Sequence, residues 1–196
     1  EARAGVVLGI DSSFSMEHGS EGATRFNRAL DQARVIAEQL LPGDPVSIIL
    51  LGGKDDVIAR NMAFDPERFE ALLQEAKPVP AGIDLERVPK RLKELLDDMD
   101  APQKEAYFIT DAQGKDWQRA SPHFQSALSD LSEEAQVVFV PVLGTSGNLA
   151  VINFELASGT LRKGTTARYQ ATVRNCGDKP VAAVQVLCRV EGVQID

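Results

Sequence analysis

Continuous apolar runs alternate with amphipathic patterns over residues 5–143, and that alternation is the strongest constraint on the fold. Gly5-Val6-Val7-Leu8-Gly9-Ile10, residues 46–51, 106–110 and 136–143 are nearly continuous apolar runs. Strands buried on both faces need this composition, because successive side chains point to opposite sides of a sheet. A weaker run, residues 57–64, predicts a third strand at an edge. Between the runs the period lengthens. Phe26, Leu30, Ala33, Ile36, Ala37 and Leu40 recur at helical spacing, which predicts a helix over residues 24–41 with Thr24 as its cap. Pro42-Gly43-Asp44-Pro45 stops it. Asp65-Pro66 opens a second helix, cap then proline, with Phe69, Leu72 and Leu73 inward. A third ends near Met99, with Leu92, Leu95 and Leu96 inward. It starts at Asp84 as cap or at Pro89 in the first turn. A short fourth helix is expected over residues 123–131. Alternating strands and helices make an α/β fold: a doubly wound, mostly parallel sheet with helices on both faces.

Character changes near residue 144, and no helical period is found from Val151 on. Residues 151–156, 167–175 and 181–190 read as strands, the last two joined by Cys176-Gly177-Asp178-Lys179-Pro180. Residues 151–196 carry six Lys and Arg against four Asp and Glu, which leaves fifteen against twenty-five for residues 1–150. We therefore expect an α/β domain over residues 1–146 and an all-β segment over residues 147–196. Three strands do not close a sandwich by themselves, so the tail reads as the start of an immunoglobulin-like β-sandwich or as an extra hairpin packed on the first domain. The chain begins four residues before its first strand and stops just after another, so a fragment of a longer parent is expected. The net charge of −8 disfavours a nucleic-acid partner. No apolar run is long enough to span a bilayer, and no basic-then-apolar signal opens the chain. Cys176 and Cys188 make neither a disulfide framework nor a zinc pattern.

The chemistry concentrates at strand ends. Asp11-Ser12-Ser13-Phe14-Ser15-Met16 follows the first apolar run, and Thr110-Asp111 ends the run before the fourth helix. In open α/β sheets, ligands bind just beyond the carboxyl ends of strands. Asp11, Ser13 and Ser15 alternate, so a turning loop can aim three oxygens at one point, and small hard cations take such ligands. The competing reading is a set of turn and helix caps. His18 lies close to Ser15, but no Gly-x-Ser-x-Gly elbow or orienting acid accompanies it. It reads as a loop histidine, and His123 as structural. Trp117 reads as an exposed anchor or as packing under a loop. Phe14 and Met16 read as buried support for the motif.

Asp-x-Ser-x-Ser, Thr24-Arg25-Phe26 at a helix start, Leu41-Pro42-Gly43-Asp44 before Val46-Ser47-Ile48-Ile49-Leu50, and Phe108-Ile109-Thr110-Asp111 occur here in one order. Over residues 5–143 the chain resembles von Willebrand factor type A domains. The resemblance implies a metal-ion-dependent adhesion site holding Mg2+, or Mn2+ or Ca2+. Ser13 and Ser15 would bind the ion directly, Asp11 and Asp111 through water, and an Asp or Glu of a protein partner would complete the shell. The family's third direct ligand is a threonine before the third helix. Here Ala81-Gly82-Ile83-Asp84-Leu85 puts Ile83 at that position. Asp84 is a candidate substitute ligand or a helix cap. Ala112 follows Asp111 where the family has glycine. The layout resembles bacterial aerotolerance (Bat-type) proteins, and residues 166–181 resemble bacterial cell-adhesion-related sandwich repeats. The implied function is a non-enzymatic protein-binding or adhesion module in a membrane-anchored parent, on the periplasmic or extracytoplasmic side. A scaffold without metal is the alternative. An Mg-dependent phosphotransfer enzyme fits less well, since its second acid would stand where Ser13 does.

Overall fold

The computed structural model describes residues 4–19, 24–112, 121–142, 149–160, 165–175, 180–184, 186–190 and 193–195. The chain divides into two compact units, Glu1–Gly144 and Thr145–Asp196.

In the first unit the elements follow in order. They are β1 (Ala4–Asp11), a 3-10 turn (Phe14–Glu17), α1 (Arg25–Ala37), β2 (Pro45–Leu51), β3 (Asp56–Ala63), α2 (Pro66–Glu75), a second 3-10 turn (Leu85–Arg87), α3 (Val88–Asp97), β4 (Gln103–Thr110), α4 (Pro122–Glu134) and β5 (Gln136–Pro141). They form one sheet in the order β3-β2-β1-β4-β5. β1 pairs in parallel with both β2 and β4, β4 in parallel with β5, and only β3 runs antiparallel.

The continuous apolar runs are explained by two cores. Val6, Leu8, Ile10, Val46, Ile48, Leu50 and Ile109 face α1 and α2, through Phe26, Leu30, Ala33, Phe69 and Leu73. Val7, Ile49, Leu51, Ala106 and Phe108 face α3 and α4, through Leu92, Leu95, Leu96, Phe124 and Leu131. Strands covered on both faces have no polar side to show, so polar alternation is lost. Local chemistry sets the helix starts. Thr24 accepts a hydrogen bond from the Asn27 amide and Asp65 from the Arg68 amide, with Pro66 in the first turn of α2. Pro89 lies in the first turn of α3.

Several expectations shift. α1 ends at Ala37 rather than residue 41, because the Gln39 and Leu40 amides bond back only three residues and tighten the last turn. α4 is longer than expected, since Ser121 caps it at His123 and Phe124. β5 is not a buried strand. It has only β4 for a neighbour, and its side chains are exposed or half-buried. Asp84 does not cap by its side chain. It precedes the Leu85–Arg87 turn and is exposed.

In the second unit β6 (Leu149–Gly159) pairs antiparallel with β7 (Ala167–Asn175), and β8 (Cys188–Val190) with β9 (Val193–Ile195). The expected strand over residues 181–190 is corrected to β8 alone, and the partner of β7 is β6. Pro180 lacks a ladder donor and Ala183 turns to φ 55°, so extended pairing breaks there. The turn residues 176–179 lie outside the described residues.

Leu92 is 1% exposed at the centre of the second core. Leu92→Ala is expected to cost about 2–5 kcal/mol, read as a lower urea midpoint of the first unit.

Candidate functional site

The strand order creates the site. After β1 the chain builds outward through β2 and β3, then crosses over β1 to form β4 on its other side. α1 leaves the end of β1 toward one face of the sheet, while α4 follows β4 on the other. The helices that follow β1 and β4 thus lie on opposite faces of the sheet, and it is at the strand ends between them that an open α/β sheet binds ligands. Asp11 is the last residue of β1, and Asp111 immediately follows β4.

Register then joins the two strand tips. Ile10 lies opposite Ile109, which sets Asp11 beside Thr110. The Thr110 hydroxyl donates to Asp11 Oδ2 at 2.8 Å, and the Ser13 amide donates to Asp11 Oδ1 at 2.9 Å. Both carboxylate oxygens are thus held by the protein, and Asp11 is 1% exposed. Burial pushes its carboxyl above the usual carboxylate value. Hydrogen bonds from Ser13 and Thr110 pull it back down, and the nearby charge of Asp111 pushes up again.

A tight 3-10 turn arranges the hydroxyls. Met16 is fully buried and the Met16 amide bonds back to the Ser13 carbonyl. Ser13 Oγ and Ser15 Oγ lie 3.1 Å apart. Phe14 is not the buried support expected of it but is 64% exposed, since three residues per turn put Phe14 and Met16 on different sides. The backbone is braced from below. The Ser12 amide bonds to Leu51 O, the Val79 amide to Ser12 O, and the Phe14 amide to Ala81 O. Gly52 and Gly53 permit that close approach. A Cβ on Gly52 would stand 2.8 Å from Ser12 Oγ, and Gly53 takes φ 57° with the Ala81 Cβ 2.8 Å from where its own would be.

Two residues with no role assigned from sequence complete the network. Thr110 bridges the strands, and its hydroxyl also accepts from the Ala112 amide at 3.2 Å. Arg25 Nη1 donates to Asp111 Oδ2 at 3.0 Å and to the Ser15 carbonyl at 3.2 Å. A physical signal for Arg25 in the sequence is its place at the first helical position. The macrodipole disfavours a cation there, so an Arg in that place calls for an anion nearby.

The donor set suits a small hard cation. Octahedral Mg2+ with bonds of 2.0–2.1 Å places adjacent ligand oxygens about 3 Å apart, which matches the Ser13–Ser15 hydroxyl pair. Asp11 already accepts hydrogen bonds from two protein donors. Ile83 is half-buried against the second core and offers no oxygen. Asp84 is exposed on the same loop. His18 caps the turn through its amide, bonded to Ser15 O. The His123 amide donates to the Ser121 hydroxyl. Trp117 lies outside the described residues. Among the described residues, no three His, Cys, Asp or Glu side chains cluster as a metal site, so serine hydroxyls carry the case here.

Removing the Thr110 hydroxyl while keeping its shape leaves a buried carboxylate oxygen unpaired. Thr110→Val is therefore expected to cost about 1–3 kcal/mol, measured by chemical denaturation. Ala112 holds φ 49° and is exposed. Relief of that left-handed backbone outweighs the added chain entropy of glycine, so Ala112→Gly is expected to stabilise by up to about 1 kcal/mol, seen as a higher Tm.

Comparison with known proteins places this geometry. A family model described as the von Willebrand factor type A domain matches residues 6–114. No curated protein matches the chain in sequence. Among solved structures, the chain is similar to BatB from Bacteroides thetaiotaomicron, with 16% identity, TM-score 0.61, and 88% of this chain and 80% of that one covered. It is also similar to an aerotolerance-related membrane protein from Bacteroides fragilis, with 17% identity, TM-score 0.60, and 86% and 81% covered. Proximal thread matrix protein 1 from the mussel byssus, with a zinc-occupied MIDAS motif, matches at 14% identity and TM-score 0.54, with 70% of this chain covered. The chain spans 35% of that mussel protein's length and 33% of a type A protein from Catenulispora acidiphila. At these identities the structural matches speak to the fold. The family model covers more than half of the chain, and with the strand order and the Asp11–Thr110 junction it establishes that this chain belongs to the von Willebrand factor type A domain family.

Proposed function

We propose that the first unit is a non-catalytic protein-docking module whose docking surface is formed around Asp11 and Asp111, at the ends of β1 and β4. The observation that carries this reading is the pair of serine hydroxyls 3.1 Å apart, beside a buried carboxylate whose two oxygens are already occupied by protein donors. In this reading Ser13 and Ser15 bind a divalent ion directly. Asp11 and Asp111 hold metal-bound water. With the carboxylates one water away, the ion keeps much of its charge and attracts an Asp or Glu from a partner. Mg2+ is the proposed ion, with Mn2+ and Ca2+ as substitutes; the zinc in the mussel structure supports a divalent occupant. Asp84 is the proposed reserve ligand in place of the missing threonine. Phe14 stands exposed between the two serines, and an aromatic in that position suits an anchor at a docking surface.

Likeness to the Bacteroides structures supports a Bat-type parent. The proposed setting is then the periplasmic or extracytoplasmic side of a membrane, reached through parts of the parent beyond this chain. No helix among the described residues is long and apolar enough to cross a membrane. The second unit, with its two antiparallel pairs, is proposed as the opening of a sandwich domain akin to the cell-adhesion-related repeats.

A metal-free scaffold is the second reading, and Ile83 favours it, because the loop that supplies the family's third ligand here turns an aliphatic side chain to the core. Calorimetric titration with Mn2+ separates the two. The wild type is expected to bind, and Ser13→Ala to lose binding. Equal heats for both proteins, or none for either, decide for the scaffold.

A further inference from the structure

We propose that Arg25 is a resident counter-cation of the site, competing with a divalent ion for Asp111 and so setting the metal affinity. The inference rests on the reading of Ser13 and Ser15 as ligands and adds to it a determinant outside the ligand set.

The geometry is direct. Arg25 Nη1 lies 3.0 Å from Asp111 Oδ2, and the two side chains are 13% and 4% exposed. The same nitrogen donates to the carbonyl of Ser15, which carries one of the two hydroxyls. The guanidinium thus ties the acid from β4 to the loop after β1, across the crevice where a cation would enter. Arg does not deprotonate at any ordinary pH, so its charge is permanent and leaves the site only if the side chain moves. A divalent ion and a guanidinium on one poorly solvated carboxylate repel strongly, because the interaction grows as the local dielectric falls. The start of α1 adds positive potential of its own, and Arg25 is its first residue.

The pair also balances charge at the site. Asp11 ends β1 and Asp111 immediately follows β4, at strand tips joined by the Thr110–Asp11 hydrogen bond, so their two charges repel. Arg25 offsets that repulsion. Among the described residues, Arg25 Nε is buried with no hydrogen-bond partner. A guanidinium left partly unsatisfied in its seat is one that a stronger cation can displace.

The test uses the full chain and Mn2+ as probe. Arg25→Gln keeps a polar donor on a shorter side chain but removes the charge. Arg25→Lys keeps the charge. Arg25→Gln is expected to bind Mn2+ at least about tenfold more tightly than the wild type, while Arg25→Lys binds as the wild type does. In EDTA, Arg25→Gln is expected to have a lower Tm than the wild type, and saturating Mn2+ to restore it. Unchanged binding by Arg25→Gln overturns the competition, and weaker binding both overturns it and makes Arg25 a positioning residue that helps the metal. Equal tightening by Lys and Gln also overturns it, since charge would not be the cause. If Mn2+ binds none of the three proteins, the ligand reading fails and this inference fails with it. Binding that is lost in Ser13→Ala but unmoved in Arg25→Gln leaves the ligand reading intact and removes this inference alone.

Discussion

A buried carboxylate at the tip of the central strand must be satisfied, and the rest of the site is built around doing so. Asp11 ends β1, the strand flanked on both sides by parallel neighbours. Desolvating an unpaired carboxylate costs far more than one hydrogen bond returns. Asp11 is held by an amide from its own loop and a hydroxyl from β4. The second bond exists only because β1 and β4 are adjacent and in a register that sets Thr110 beside it. The strand crossover is thus bound to the chemistry: the contact that satisfies Asp11 also closes the crevice floor.

Around that junction the protein works with opposed charges. Two acids lie within influence of each other, the start of a helix brings positive potential, and Arg25 reaches over to pair with Asp111. The hydroxyls of Ser13 and Ser15 are neutral and can meet either water or a cation. Their spacing follows from their mutual hydrogen bond, a short 3-10 turn, a buried Met16 beneath it, and the braces from Leu51, Val79 and Ala81. Gly52 and Gly53 are the enabling residues, since a side chain at either would push the bracing loop away. That same loop carries Ile83, whose packing against the second core secures the brace. An aliphatic residue there trades a possible oxygen ligand for apolar contact.

The second unit obeys different rules. β6 and β7 pair along their length, and Phe154 and Tyr169 stack on one face with ring centroids 5.2 Å apart. Cross-strand aromatic pairs of this kind stabilise a hairpin. Turn chemistry in the sequence pointed to residues 176–180 as the hairpin link, yet β7 pairs backward with β6. Proline and a left-handed Ala183 in the following run outweigh its apolar content.

The sequence by itself determined the α/β class, the order of strands and helices in the first unit, and Asp11, Ser13, Ser15 and Asp111 as candidates. Those depend on local periodicity, caps and chain order, which a linear reading contains. It misjudged elements whose exposure depends on neighbours: β5 has the pattern of a buried strand but lies at an edge, and Phe14 is apolar but points outward. Only tertiary structure decided that Thr110 holds Asp11 and that Arg25 holds Asp111, since those partners lie 99 and 86 residues apart. Long-range pairing of polar groups leaves no period in a sequence; it follows from strand register and helix position, which exist only once the chain is folded.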